Sequence, residues 1–374
     1  MRMKFFDGVR GLMAMIVIVH HFVIVFYPEY YWVEQGHPFA ASPWAALVNG
    51  NVGVQYFFML SGFLVIMKYR EKVVTVGDVA KAFLKRYLRL VQIVFVGTFL
   101  AYILMKTGCM FHLKVASLLP SEKTLLGVNW FIPTLGNAIK VCFIDTFMSG
   151  NRYNGPFWTI VWEVKAYVFL TIISFLKNHK ALFLKIIYYL ALLGYGYYAI
   201  EYQETLAASF MGAILAELWL LYSAIERKPI LLSWIYKIGA GCVGLLFATI
   251  PQKTAGIHYL LYAVPGGTNN IKRAFGIFLL CSVLLISPLL QRIFENKLFL
   301  FLGRMSDLLY GIHWPIILSV GCAIYYYTSD EFTYQLSTTL AFVGVVIVTI
   351  LAAYLFSQFL NRKWKVDFRR LRSR

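Results

Sequence analysis

The chain has 374 residues, of which 60% are apolar and only 14% charged, with a net charge of +18. A mean hydropathy of +0.68, with apolar runs of about 20 residues from end to end, excludes a soluble globular domain, a disordered chain and a nucleic-acid-binding protein. The 31 Phe, 25 Tyr and 9 Trp suit a polytopic membrane protein with aromatic belts at its interfaces.

In chain order the hydropathy pattern predicts ten spans: 9–28, 51–67, 90–106, 157–176, 183–200, 206–224, 230–250, 274–290, 298–327 and 336–359. This is an all-α membrane bundle in one domain over 1–374. The first apolar run is too long for a cleavable leader and Arg10 interrupts its start, so it is expected to be a retained span. With the N-terminus inside, 23 of the 35 Lys and Arg fall in cytoplasmic segments and eight in the outer loops. Cations resist translocation and meet the anionic leaflet, so this split predicts both termini inside, with 361–374 as a basic cytoplasmic tail. The longest loop, 107–156, falls outside. Within it Trp130-Phe131-Ile132-Pro133 and the apolar run Ala138–Phe147 suggest a short helix dipping into the membrane. The five Cys show no paired spacing and read as packed thiols, without a disulfide framework.

Polar residues inside the spans carry the chemical information, because an ionisable group in the bilayer costs several kcal/mol unless it faces a partner or a polar cavity. The first span holds Arg10 and His21, eleven residues apart. Eleven helical steps return a side chain to within about 20° of its starting face, roughly 16 Å further along. One stripe therefore presents a cation near the cytoplasmic end and an imidazole near mid-membrane, while His20 points about 80° away. The second span holds Ser61-Gly62, a pair that commonly serves close helix packing. Lys85-Arg86-Tyr87-Leu88-Arg89 follows as a basic turn, suited to topology or to an anionic nucleotide. The fourth span opens with Trp158 and places Thr159, Glu163 and Tyr167 on one face. A buried Glu163 needs a partner or a role, and by depth it can meet His21 if the first and fourth spans are neighbours. In the ninth span Ser306, Tyr310 and His313 share a face. Pro315 there frees a backbone carbonyl near Gly311, at a depth where that is expected beside a cavity.

Arg10 with His21, Phe57-Phe-Met-Leu-Ser61-Gly62-Phe63, Lys85-Arg86-Tyr-Leu-Arg89, Trp158-Thr159 with Glu163, and Ser306…Tyr310-Gly-Ile-His313-Trp-Pro315 occur in that order. Together they resemble the acyltransferase-3 family of integral-membrane O-acyltransferases, over about residues 5 to 360. In two respects the chain departs from the family's pattern. Arg89 is followed by Leu90 where a proline is common, and Trp162 and Asp307 occupy positions expected to vary. The resemblance implies a multi-pass protein of the cell membrane, most simply a bacterial inner membrane. It implies acetyl-CoA or another acyl-CoA as a cytoplasmic donor substrate, no bound cofactor or metal, and no nucleic-acid partner. The implied acceptor is a hydroxyl of an extracytoplasmic glycan or lipid-linked glycan, as in O-antigen, capsule or exopolysaccharide.

Under that reading His21 is the general base, Glu163 orients its imidazole or contacts the acceptor hydroxyl, and His313 holds the acceptor. Arg10, Lys85, Arg86 and Arg89 bind the CoA phosphates, and Ser61, Trp158, Ser306 and Tyr310 support the site. The three helical turns from Arg10 to His21 compare with an extended pantetheine arm. A transporter or flippase with an intramembrane His/Glu/Arg relay is the alternative. No internal repeat of hydropathy supports it.

Overall fold

In the computed structural model, residues 3–69, 75–128, 131–177, 181–225, 230–251, 258, 261 and 267–370 are described. Trp130, the loop cations Arg2, Arg70, Lys72, Lys180, Arg227, Lys228 and Lys253, and the end of the tail, 371–374, lie outside them. The chain is a multi-pass helical membrane protein, with no strand among the described residues.

The main helices are α1 (Lys4–Phe26), α2 (Gly50–Lys68), α3 (Val76–Lys106), α4 (Trp158–Lys177) and α5 (Leu182–Glu201). They are followed by α6 (Ala207–Ser223), α7 (Ile230–Ala248), α8 (Asn269–Ile286), α9 (Lys297–Ile316) and α10 (Tyr334–Arg370). Nine helical stretches among the described residues are long and apolar enough to cross a membrane, and Ser233–Ala248 within α7 is a shorter apolar one. Nine of the ten predicted spans thus meet a helix of spanning length, and the predicted span at 230–250 meets the shorter one. Large apolar side chains such as Leu190, Leu355 and Ile347 face outward, the arrangement expected where lipid replaces water and burial no longer drives helices together.

Close backbone approach therefore matters. α1 packs along α9, α2 along α6 and α7 along α8. A Cβ on Gly62 would collide with the Ser209 carbonyl, and one on Gly212 with the Met59 carbonyl. Gly11 and Gly303 play the same part between α1 and α9, where a side chain would strike Gly303 and Asp7 backbone, and Gly8 seats α1 on the Phe294 backbone just before α9. Gly62 is thus a packing residue, as its type suggested, while its neighbour Ser61 faces a cavity.

Two local features depart from the sequence reading. α3 starts fourteen residues before the predicted span at 90, because Thr75 and Asp78 form a reciprocal capping box that fixes its first turn. Lys85, Arg86 and Arg89 therefore lie on a regular helix instead of a turn. Arg86 and Arg89, three apart, line one cavity, while Lys85, one turn before Arg89, is exposed and does not. In α9, Pro315 lacks the N–H that would bond the Gly311 carbonyl. That carbonyl accepts a hydrogen bond of 2.7 Å from the side-chain amide of Asn154, so a side chain satisfies it where a cavity was expected. The helix then widens into a π turn at Ile317–Gly321 and continues to Thr328.

In the long loop, Leu135–Met148 is nearly continuous helix that packs beside α3. The Tyr87 hydroxyl donates to the Phe143 carbonyl at 2.8 Å and its ring meets Phe147 at 4.8 Å. Tyr87 lies nineteen residues before the end of α3, about 28 Å along the axis.

Candidate functional site

The site is built on α1 and α9, which run in the same direction in a fixed register. Gly11 meets Gly303 and, ten residues on in each helix, His21 meets His313. His313 is fully buried, and its Nδ1 lies 2.8 Å from the Tyr310 carbonyl and 3.2 Å from that of Leu309. A carbonyl only accepts, so this nitrogen carries the proton and neutral His313 offers a bare Nε2. His21 Nδ1 lies 3.0 Å from that Nε2 and 2.9 Å from the Val17 carbonyl. Both neighbours are acceptors, so His21 Nδ1 is also protonated and donates to them. The chain of donors ends at His21 Nε2, a free lone pair with no hydrogen-bonding partner among the described residues. A Trp314 edge lies against the His21 ring, with centroids 5.3 Å apart. His20, as its angle predicted, faces elsewhere: its Nδ1 donates to the Val48 carbonyl at 2.8 Å.

Three guanidiniums gather on the near side of the stripe. Arg10 from α1 and Arg89 from α3 each donate at 2.5 Å to opposite oxygens of the Asp307 carboxylate on α9. Arg10 also lies 3.6 Å from Asp7. Arg86 forms an ion pair with Glu163 of α4. These groups line a cavity with Ser61, Thr159, Ser306 and Tyr310. Two of these lining residues form a polar latch. The Tyr310 hydroxyl donates to the Pro156 carbonyl and pairs with the Thr159 hydroxyl at 2.7 Å. Beyond the latch, the Tyr310 ring is 5.9 Å from the His313 ring.

The structure thus brings together His21 with His313, and Arg10, Arg86 and Arg89 with Ser61, Ser306 and Tyr310. It leaves Lys85 and Trp158 apart from both groups, and puts Glu163 with the guanidiniums and not with His21. Glu163 does not meet His21: α4 packs against α2, α3 and α5, and the carboxylate finds its countercharge in Arg86. Lys85 is exposed and does not reach the cavity. Trp158 is 45% exposed, turned outward at the first residue of α4. Ser306 Oγ donates to the Gly303 carbonyl of its own helix at 3.0 Å, which leaves its lone pairs toward the cavity.

Sequence reasoning missed three residues. Asp307 was visible as a carboxylate inside an apolar run but lacked an assigned partner. Asn154 gave no signal, since its role depends on Pro315 from a distant helix. Trp314 stood in the His313-Trp-Pro315 run without a role of its own. Among the described residues no three His, Cys, Asp or Glu side chains are grouped so as to hold a metal ion.

No curated protein and no solved structure matches the chain. A family model described as an acyltransferase domain matches residues 3–358, nearly the whole length. That span takes in both histidines, all three guanidiniums and the carboxylates between them, and the chain is therefore a membrane acyltransferase of the acyltransferase-3 family.

Proposed function

We propose that the protein is an O-acyltransferase, moving an acyl group from acyl-CoA, most simply acetyl-CoA, to a hydroxyl of an extracytoplasmic glycan in the bacterial inner membrane. The observation that carries the reading is the free Nε2 of His21, fixed by the His313 hydrogen bond, on the same helix as a cavity-lining arginine. Arg10, Arg86 and Arg89 receive the donor's phosphates, for which guanidinium forks are suited. The pantetheine arm runs inward past Ser61 and Ser306 to the Tyr310–Thr159 latch, which must part to admit the thioester. The acceptor hydroxyl oxygen attacks the thioester carbonyl carbon while His21 Nε2 takes its proton. Collapse of the tetrahedral species breaks the carbon–sulfur bond, and the CoA thiolate recovers the proton from the imidazolium. His313 holds His21 in the tautomer this step needs, a part usually given to a carboxylate. The cation distribution of the loops supports a cytoplasmic donor end and an outer acceptor end.

The test is to supply radiolabelled acetyl-CoA to membranes with and without the protein. An alkali-labile, glycan-bound ester is expected only with it. Properly inserted protein that forms no ester, or that instead couples solute uptake to a proton gradient, overturns the reading in favour of a transporter. Mass spectrometry of surface glycans from cells with and without the chain would then identify the acceptor.

A further inference from the structure

Trp314 is 5% exposed, yet its indole nitrogen, wholly enclosed, finds no hydrogen-bond partner among the described residues. A buried indole N–H usually has one, because it is a donor only and loses water on burial. The few buried polar atoms left bare in a protein call for an explanation, and an active site supplies one. This one lies beside the reacting group. The indole ring sits edge-on to the His21 ring, 5.3 Å between centroids, and Trp314 directly follows the histidine that orients His21. Gly155 lies on its flank. A methyl group built on Gly155 would lie 3.9 Å from the indole nitrogen and within 4 Å of nothing else beyond its own turn.

We propose that Trp314 is a catalytic residue whose indole N–H binds the thioester carbonyl oxygen as it becomes an oxyanion. The proposal rests on the acyl-transfer reading above. When the acceptor oxygen bonds to the carbonyl carbon and its proton passes to His21 Nε2, the carbonyl electron pair moves onto oxygen. That oxygen accepts the Trp314 N–H, whose dipole is already in place and needs no reorganisation. When the pair returns to re-form the carbonyl, the carbon–sulfur bond breaks and the thiolate takes the proton from His21. One side of the acyl carbon then faces the base and the other an electrophilic donor. These are the two functions that acyl transfer requires of a site, supplied from neighbouring rings of α1 and α9.

Thiol release from acetyl-CoA, in membranes carrying the native acceptor, measures the effect. Trp314→Phe keeps a ring but no donor, and kcat is expected to fall about 100-fold, the usual cost of one oxyanion donor, with KM for acetyl-CoA nearly unchanged. Benzothienylalanine at position 314 replaces only the N–H by sulfur, so it preserves shape if the Phe variant folds poorly. The same loss is expected from it, and wild-type kcat in that isostere overturns the proposal. Gly155→Ala adds a methyl group where the structure has room. It should leave thermal stability unchanged but lower kcat about tenfold by crowding the oxyanion. In the double variant Gly155→Ala with Trp314→Phe the losses should not multiply, since both act on one contact. Gly155→Ala with full activity also counts against the assignment. Wild-type membranes that release no thiol reject the acyl-transfer reading itself, whereas active wild type with an active isostere rejects only the role of Trp314.

Discussion

The two ends of the α1 stripe solve opposite problems. At the Arg10 end, charge is abundant and balanced: three guanidiniums meet Asp7, Asp307 and Glu163. At the His21 end no ion pair holds the rings among the described residues; His21 and His313 are ordered by backbone carbonyls, and the indole N–H of Trp314 and the Oδ1 of Asn154 are left bare. The first arrangement is a resting ion-exchange site, in which carboxylates occupy forks that phosphates can claim. The second is a buried, preorganised group of rings, in which a small change of charge is felt strongly. On the proposed reading, binding and chemistry are held apart by about 16 Å of one helix, roughly eleven residues of rise.

Substitutions at each end should separate kcat from KM, and this contrast is the measurement that sharpens the comparison. The largest effect is expected from His21→Ala, which should reduce turnover by at least about 1,000-fold with the protein still inserted, since no other group can take the proton. His20→Ala should keep most of its turnover and lose melting temperature instead, because it leaves the Val48 carbonyl without its donor. Equal loss from both would erase the distinction between the ends.

Next in size is Arg10→Ala, for which KM for acetyl-CoA should rise about tenfold, the equivalent of one charge-assisted contact. Arg10→Lys should remain impaired, as an ammonium cannot form the fork. A selective fall in kcat from either variant would mean that this end takes part in the chemistry.

Glu163→Gln offers a test of a different kind. With the carboxylate on Arg86, the change removes a countercharge and not a catalytic group. Folded yield should drop, while kcat per folded molecule stays within about threefold of wild type. A 100-fold loss of kcat in well-folded protein would return Glu163 to the histidines. The smallest shift is expected from Asp307→Asn, which releases two guanidiniums from their internal anion. CoA should bind a few-fold more tightly, with a steeper dependence on salt. Weaker binding would make Asp307 a brace that aligns the arginines, and the notion of a resting exchange site would fail.

Much of this was legible in the sequence. Span positions follow from composition, and the Arg10–His21 stripe follows from helical period alone, since both residues lie on one unbroken helix. The face shared by Tyr310 and His313 is equally local. What could not be read was which helix faces which. Glu163 and His21 agree in depth, and only packing shows that α4 turns its carboxylate to α3. The capping box at Thr75 and Asp78 was present as residues, but hydropathy windows end where polar residues begin, so the helix beneath Arg86 and Arg89 was missed. Asn154 is a partner chosen across 157 residues of sequence, and no local pattern announces it.

The register between α1 and α9 has one more consequence. Because Gly11 and Gly303 seat backbone on backbone, neither helix can slide along the other without a collision, and the two act as a single rigid ruler. Its graduation marks are Arg10 and His21. A carrier arm anchored at the first mark delivers its reactive carbon at one fixed height, so the enzyme would select donors by the length of the arm rather than by the identity of the acyl group. One residue inserted anywhere between the marks would turn His21 about 100° off the stripe. The ruler would then still fold and still hold the donor, but it would measure to the wrong place.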